Sequence, residues 1–211
     1  MHRGKILLAL LFFVPDNGTW VLRKNQDDIR VYTRSISTSD FKELKCTTRV
    51  KSSMSAIVKL LIDVDHFKGW IYKCTEATLI KKVSAREVIS YQLFDAPWPV
   101  DDRDVVANCY VTQDEKTKIV VVRSVVANVL IPEKKGIVRI KNFRTTYTLT
   151  PKGNGWIEID YELGTEPGGS VPAWLANMVM VNGPFTSQQA MSALLQTSYF
   201  KSAKLGFLVE P

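Results

Sequence analysis

The chain has 211 residues, 45% hydrophobic and 23% charged, and carries a formal net charge of +7. That length suits one domain with a full core rather than two of ordinary size, and the composition excludes a disordered chain and a polytopic membrane protein. The basic residues are scattered, as at Lys81-Lys82, Lys134-Lys135 and Arg139/Lys141/Arg144, which suits transient contact with an anionic membrane surface and not a nucleic-acid groove.

The chain opens with His2, Arg3 and Lys5 and is then uninterruptedly apolar from Ile6 to Val14. Such a run is too short to span a bilayer and matches the core of a secretory leader over residues 1–15, although Phe13-Val14-Pro15-Asp16 is a poor cleavage site. The alternative is a first strand or helix of the domain. Cleavage implies a secreted or periplasmic protein; without it, a cytoplasmic protein at the membrane periphery is expected.

Residues 16–211 form the folded domain, with Trp20-Val21-Leu22 beginning it after a turn at Pro15-Asp16-Asn17-Gly18. Residues 29–36, and part of 41–50, alternate apolar and polar side chains around residues 37–40, the pattern of a β-hairpin. Ser53 caps a helix with Ile57, Val58, Leu60, Leu61 and Val64 at helical spacing. A second short helical turn follows at residues 65–68.

From Cys74 the period changes to two. Strands are predicted at 75–83, 86–95, 103–113, 118–128, 137–149 and 155–163, with a corner at Pro97-Trp98-Pro99. The gaps are too short for helical crossovers, so antiparallel pairing dominates. After Thr165 comes a helix apolar on nearly every face, interrupted at Asn182-Gly183-Pro184 and resuming near Thr186. There Ala190, Met191, Leu194 and Leu195 form one stripe, while Gln188, Gln189, Ser192 and Gln196 face elsewhere. The fold expected is α+β: a curved antiparallel sheet wrapped around a long C-terminal helix, with two short helices after the second strand.

Cys46, Cys74 and Cys109 have no CxxC spacing, and His66 is the one histidine beyond the leader. Neither a zinc site nor a disulfide framework is expected, and the thiols read as buried and free. No nucleophile–base spacing stands out, so no catalytic residue, metal or cofactor is assigned.

Four separated motifs resemble the START domain, the lipid-transfer module related to steroidogenic acute regulatory protein. They are Trp20 with Ile29-x-Val31-Tyr32-x-Arg34, Pro97-Trp98-Pro99 with Arg103-Asp104, Pro132-x-x-x-Gly136-x-Val138-Arg139, and Pro167-Gly168-Gly169-x-Val171-Pro172-x-Trp174-Leu175. The chain is most similar to the phosphatidylcholine-transfer branch and to single-domain bacterial members. The resemblance implies a helix-grip fold enclosing a hydrophobic tunnel, a lipid or sterol-like ligand, and a monomer. It also implies a lid made by loop 127–135, with Val129, Leu130, Ile131 and Pro132, against the C-terminal helix.

By offset, the family's choline cage falls on Gln92, Val105 and Phe143, of which only Phe143 is aromatic. The charged pair of its cholesterol binders falls on Ser90 and Cys109, and is absent. The same offsets give strand parity: Ser90, Gln92 and Phe94, then Val105, Ala107 and Cys109, then Phe143, Thr145 and Tyr147, then Ile157, Ile159 and Tyr161 would face inward. Trp174, Met178 and Phe185 are expected on the cavity side of the helix, and Arg103 and Arg139 near a headgroup, unless nearby carboxylates pair with them. Non-catalytic lipid binding and transfer is the reading; a helix-grip enzyme and a ligand-sensing module are the alternatives.

Overall fold

The computed structural model describes residues 18–211 except positions 38, 167, 170 and 172, and leaves out the side chains of 40, 173, 174 and 177. The leader assigned to residues 1–15, Pro167 and Pro172 lie outside the described residues, as does the Trp174 side chain.

β1 (Val21–Gln26) and β2 (Ile29–Ile36) form a hairpin whose two turn residues, Asp27 and Asp28, take φ of 53° and 59°. Both central residues at positive φ match the right-handed twist of the flanking strands. β2 buries Ile29, Val31 and Thr33 on one face, and β3 (Ser39–Lys51) follows it antiparallel. The expected start of the domain at Trp20-Val21-Leu22 is the beginning of β1, which no sequence pattern marks as a strand because its residues are almost all exposed and carry no alternation.

The helix α1 (Met54–Ile62) begins where expected, with Ser53 Oγ accepting the Ala56 N–H at 3.1 Å. Two further N–H groups of its first turn, Met54 and Ser55, donate to the Glu210 carboxylate at 2.8 Å each. The chain terminus thereby supplies acceptors and negative charge at a helix N-terminus, where both are favourable. A 3-10 turn (Val64–Gly69) completes this pair.

A meander follows: β4 (Cys74–Ser84), β5 (Glu87–Phe94), β6 (Asp102–Gln113) and β7 (Val120–Val126). The strand predicted at 137–149 is two strands, β8 (Ile137–Arg139) and β9 (Asn142–Pro151). β8 lies parallel to β6, while β9 pairs antiparallel with β7. β10 (Trp156–Glu166) then bridges β9 and β3, so that Tyr161 stands opposite both Tyr147 and Cys46. One sheet results, in the order β1-β2-β3-β10-β9-β7-β6-β5-β4 with β8 beside β6.

The long helix α2 (Ala173–Leu194) is continuous through Pro184, contrary to the expected interruption, and α3 (Ser198–Lys201) is a short turn after it. An interior proline costs a helix about 3 kcal/mol; here Gly183, Pro184 and Phe185 are all buried, and that cover offsets the cost. Gly183 is held close to Tyr72, whose Cδ1 would be 3.3 Å from an added Cβ. The C-terminal half of α2 and the turn after it set Met191 and Leu195 into the main core with α1, Val111, Leu149 and Ile157. The three cysteines are buried and free. The architecture is an α+β helix-grip fold, with α1 and the main core filling one end of the sheet beneath α2.

Candidate functional site

At the other end, a cavity of about 390 Å³ separates the sheet from the N-terminal half of α2. Strand parity builds its floor. β9 presents Phe143, Thr145 and Tyr147, and β10 presents Tyr161, Leu163 and Thr165. β5 and β6 add Gln92, Phe94, Arg103 and Cys109. Leu175, Met178, Val179 and Gly183 of α2 form the roof. The rim includes residues 95–97 and Val100, the segment between β5 and β6.

The wall thus gathers Gln92, Phe94, Arg103, Cys109, Phe143, Thr145, Tyr147, Tyr161 and Met178 of the expected set. The remaining inward residues lie elsewhere. Ser90 is fully covered and accepts a hydrogen bond from Gln92 Nε2 at 3.0 Å. Val105 and Ala107 pack with Ile140 against Phe94 and Phe143, whose larger side chains reach the cavity instead. Ile159 belongs to the main core. Phe185 packs against Ile29, Val31, Leu44 and Cys46, with Lys24 Nζ 3.5 Å from its ring centroid.

Two expectations about the rim are corrected. Arg139 is off the wall: its guanidinium pairs with the buried Asp104 carboxylate and also donates to the Ile131 carbonyl at 3.1 Å. Loop 127–135 does not border the cavity. Ile131 packs against the opposite face of the sheet with Ile89, Tyr91 and Val106, Leu130 is fully exposed, and Val129 and Pro132 are absent from the wall. A Lys134–Glu76 pair at 3.2 Å fastens the loop further. The segment that borders the cavity is 95–100, which carries Trp98, 90% exposed.

Sequence reasoning missed several polar residues of the wall, among them Ser124, Thr165, Ser187 and Gln188. Gln188, read as facing away from the apolar stripe, is 1% exposed and lines the cavity. Neither amide atom has a hydrogen-bond partner among the described residues, and the Trp70 Nε1–H on the same wall also lacks one. Such groups are rare in folded proteins, since each leaves a desolvation penalty uncompensated. Their segments are tied by the Tyr72 N–H donating to Ser187 Oγ at 2.9 Å. The missing signal was the depth of α2: a helix covered on two sides buries residues that a single stripe assigns to solvent.

The electrostatics of the wall are those of a container. Burial pushes the Cys109 thiol up to about 11 and holds the Tyr147 and Tyr161 phenols, stacked at 4.5 Å, far above the usual range. At neutral pH all three are protonated and poor nucleophiles. Among the described residues Arg103 is the one buried cation of the wall, and burial pulls its pKa down against the pull of Asp101 and Asp102. Among the described residues no three His, Cys, Asp or Glu side chains are grouped to hold a metal, and no helix is long and apolar enough to cross a membrane.

Residues 15–199 match the START domain family, and the chain belongs to it. It is 36% identical to an uncharacterised protein of Pseudomonas aeruginosa, over 90% of this chain and 94% of that one. It is 25% identical to the mouse phosphatidylcholine transfer protein, over 78% of each. Among solved structures, the STAR-related lipid transfer protein of Xanthomonas axonopodis superposes with a TM-score of 0.77 at 31% identity, covering 84% of this chain and 99% of that one.

Proposed function

We propose that this START-domain protein binds one lipid-like molecule in its cavity as a monomer, does no chemistry on it, and transfers it between membranes. The observation that carries the reading is the cavity of about 390 Å³ between the sheet and α2, within the size range of small-molecule sites, about 300–1,000 Å³, and apolar with a few polar groups as such sites are. The lipid-transfer names of the mouse and Xanthomonas relatives support the same class, and the protonated state of Cys109, Tyr147 and Tyr161 supports a carrier over an enzyme.

The entrance is assigned to α2 and segment 95–100, in place of loop 127–135. Met178 and Val179 are at once exposed and part of the wall, so outward movement of this half of the helix opens a path. Trp98 suits docking at a membrane interface, where an indole combines apolar body and polar N–H, and the net positive charge favours anionic lipid. The cycle is docking, opening, entry of the hydrophobic body and closure.

Incubation with vesicles carrying a fluorescent-chain lipid, followed by sedimentation of the vesicles, tests this. The label is expected in the supernatant with the protein. Complete sedimentation of the label over a panel of lipid classes contradicts it.

A further inference from the structure

Arg103 stands in the cavity wall as a buried cation that, among the described residues, is in no ion pair, with Asp101 and Asp102 acting on it only at longer range. It is 8% exposed. Nη1 donates to the Asp101 carbonyl, and Nη2 reaches the Gly168 carbonyl at 3.4 Å. A guanidinium has five N–H donors, and no other acceptor is found among the described residues. None of their ion pairs includes Arg103. The adjacent Asp102 is committed elsewhere, its Oδ1 accepting the Ala96 N–H at 3.0 Å.

Arg139, on the neighbouring strand β8 and opposite Asp104, the residue after Arg103, provides the contrast. Its charge is met by Asp104 in a bidentate bond, and it stays off the wall. One arginine is neutralised by a carboxylate in contact; the other faces the cavity with no carboxylate in ion-pair contact among the described residues. A buried charge is costly unless paired.

We propose that Arg103 seats an anionic head, so that the cavity takes a single-chain amphiphile bearing a carboxylate or a phosphate monoester. The inference rests on the reading of the cavity as a lipid site and names its ligand class. The position suits a head: Arg103 lies beneath the Gly168-Gly169 turn that precedes α2, with Nη2 3.8 Å from where a Gly169 Cβ would stand. From there the wall runs over Phe94, Phe143 and Thr145 to Cys109, six residues along β6 from Arg103 or roughly 20 Å, a span along which an acyl chain can lie. A cavity of about 390 Å³ is near the lower end of ligand sites, about 300–1,000 Å³, which favours one chain over two.

The test compares palmitic acid, palmityl alcohol and palmitoyl lysophosphatidic acid as competitors of an uncharged fluorescent fatty-chain probe, on the wild-type protein, Arg103→Gln and Arg103→Lys. Wild type is expected to prefer acid over alcohol by at least about tenfold, as a charge-assisted hydrogen bond provides. Arg103→Gln abolishes that preference, weakening acid relative to alcohol to near parity; Arg103→Lys retains part of it. The tighter of the two anions identifies the head as carboxylate or phosphate. Equal binding of acid and alcohol by wild type, or an intact preference in Arg103→Gln, overturns the inference while leaving the lipid reading standing. Binding of neither the probe nor any competitor overturns both. Should Arg103→Gln fail to fold, the wild-type preference and its weakening in Arg103→Lys decide.

Discussion

Arg139 and Asp104 form a two-pronged ion pair, Nε to Oδ1 at 2.5 Å and Nη2 to Oδ2 at 3.0 Å, with Asp104 almost wholly buried. The pair joins β6 to β8 and holds the Ile131 carbonyl through a third bond. Arg139→Met removes the cation and leaves the carboxylate alone, an imbalance that typically costs about 3–5 kcal/mol. Chemical denaturation should show that loss, while the folded variant keeps its ligand affinity, since Arg139 does not touch the cavity. Lost affinity at unchanged stability would return loop 127–135 to the role of lid.

Gln188→Leu should act in the opposite sense. The native amide is buried without partners in the ligand-free protein, and replacing it by an apolar side chain of similar length removes a penalty of about 1–3 kcal/mol. A rise in the unfolding midpoint, measured without lipid, is the expected result. A fall shows that the amide is satisfied in solution.

Thr145 and Ser124 face each other across β9 and β7, both on the cavity wall. Thr145→Phe keeps a residue suited to strands and projects a ring into the void. The account expects a cooperative fold with lipid uptake reduced at least about tenfold, roughly 1.4 kcal/mol, in the vesicle assay. Uptake equal to wild type would show that ligand does not occupy this space.

Alkaline pH should weaken the fold through the cysteines. Burial raises Cys46 to about 12 and Cys74 and Cys109 to about 11, against about 8.5 in an unfolded chain. Between those values the unfolded state has lost protons that the folded state retains, so stability falls as pH rises. The contribution is fully present below about pH 8.5 and declines towards pH 11 and above. Melting temperatures across this range, in wild type and Cys109→Ala, check it: the variant should show the shallower decline.

The floor of the cavity was legible because strand parity is rigid. Once Gln92 and Phe143 are placed inward, Phe94, Thr145 and Tyr147 must follow. Parity does not report depth, and Val105, Ala107 and Ile159 share the inner face yet sit beneath larger neighbours or in the main core. Helix α2 was harder still. Its apolar circumference was legible, but the continuity through Pro184 and the burial of Gln188 depend on Tyr72, Ser187 and the segment before β4, which no local pattern connects. Arg103 and Arg139 looked alike in sequence, and only the register of β8 beside β6 separates the paired cation from the unpaired one.

The measurement that tests the central claim most directly is native mass spectrometry of the purified protein before and after exposure to a lipid extract. The account expects one added mass, in the range of a single lipid and removed by organic solvent, that disappears in Thr145→Phe. Bare protein under every condition, or an adduct that Thr145→Phe retains in full, would contradict the assignment of this cavity as a lipid site.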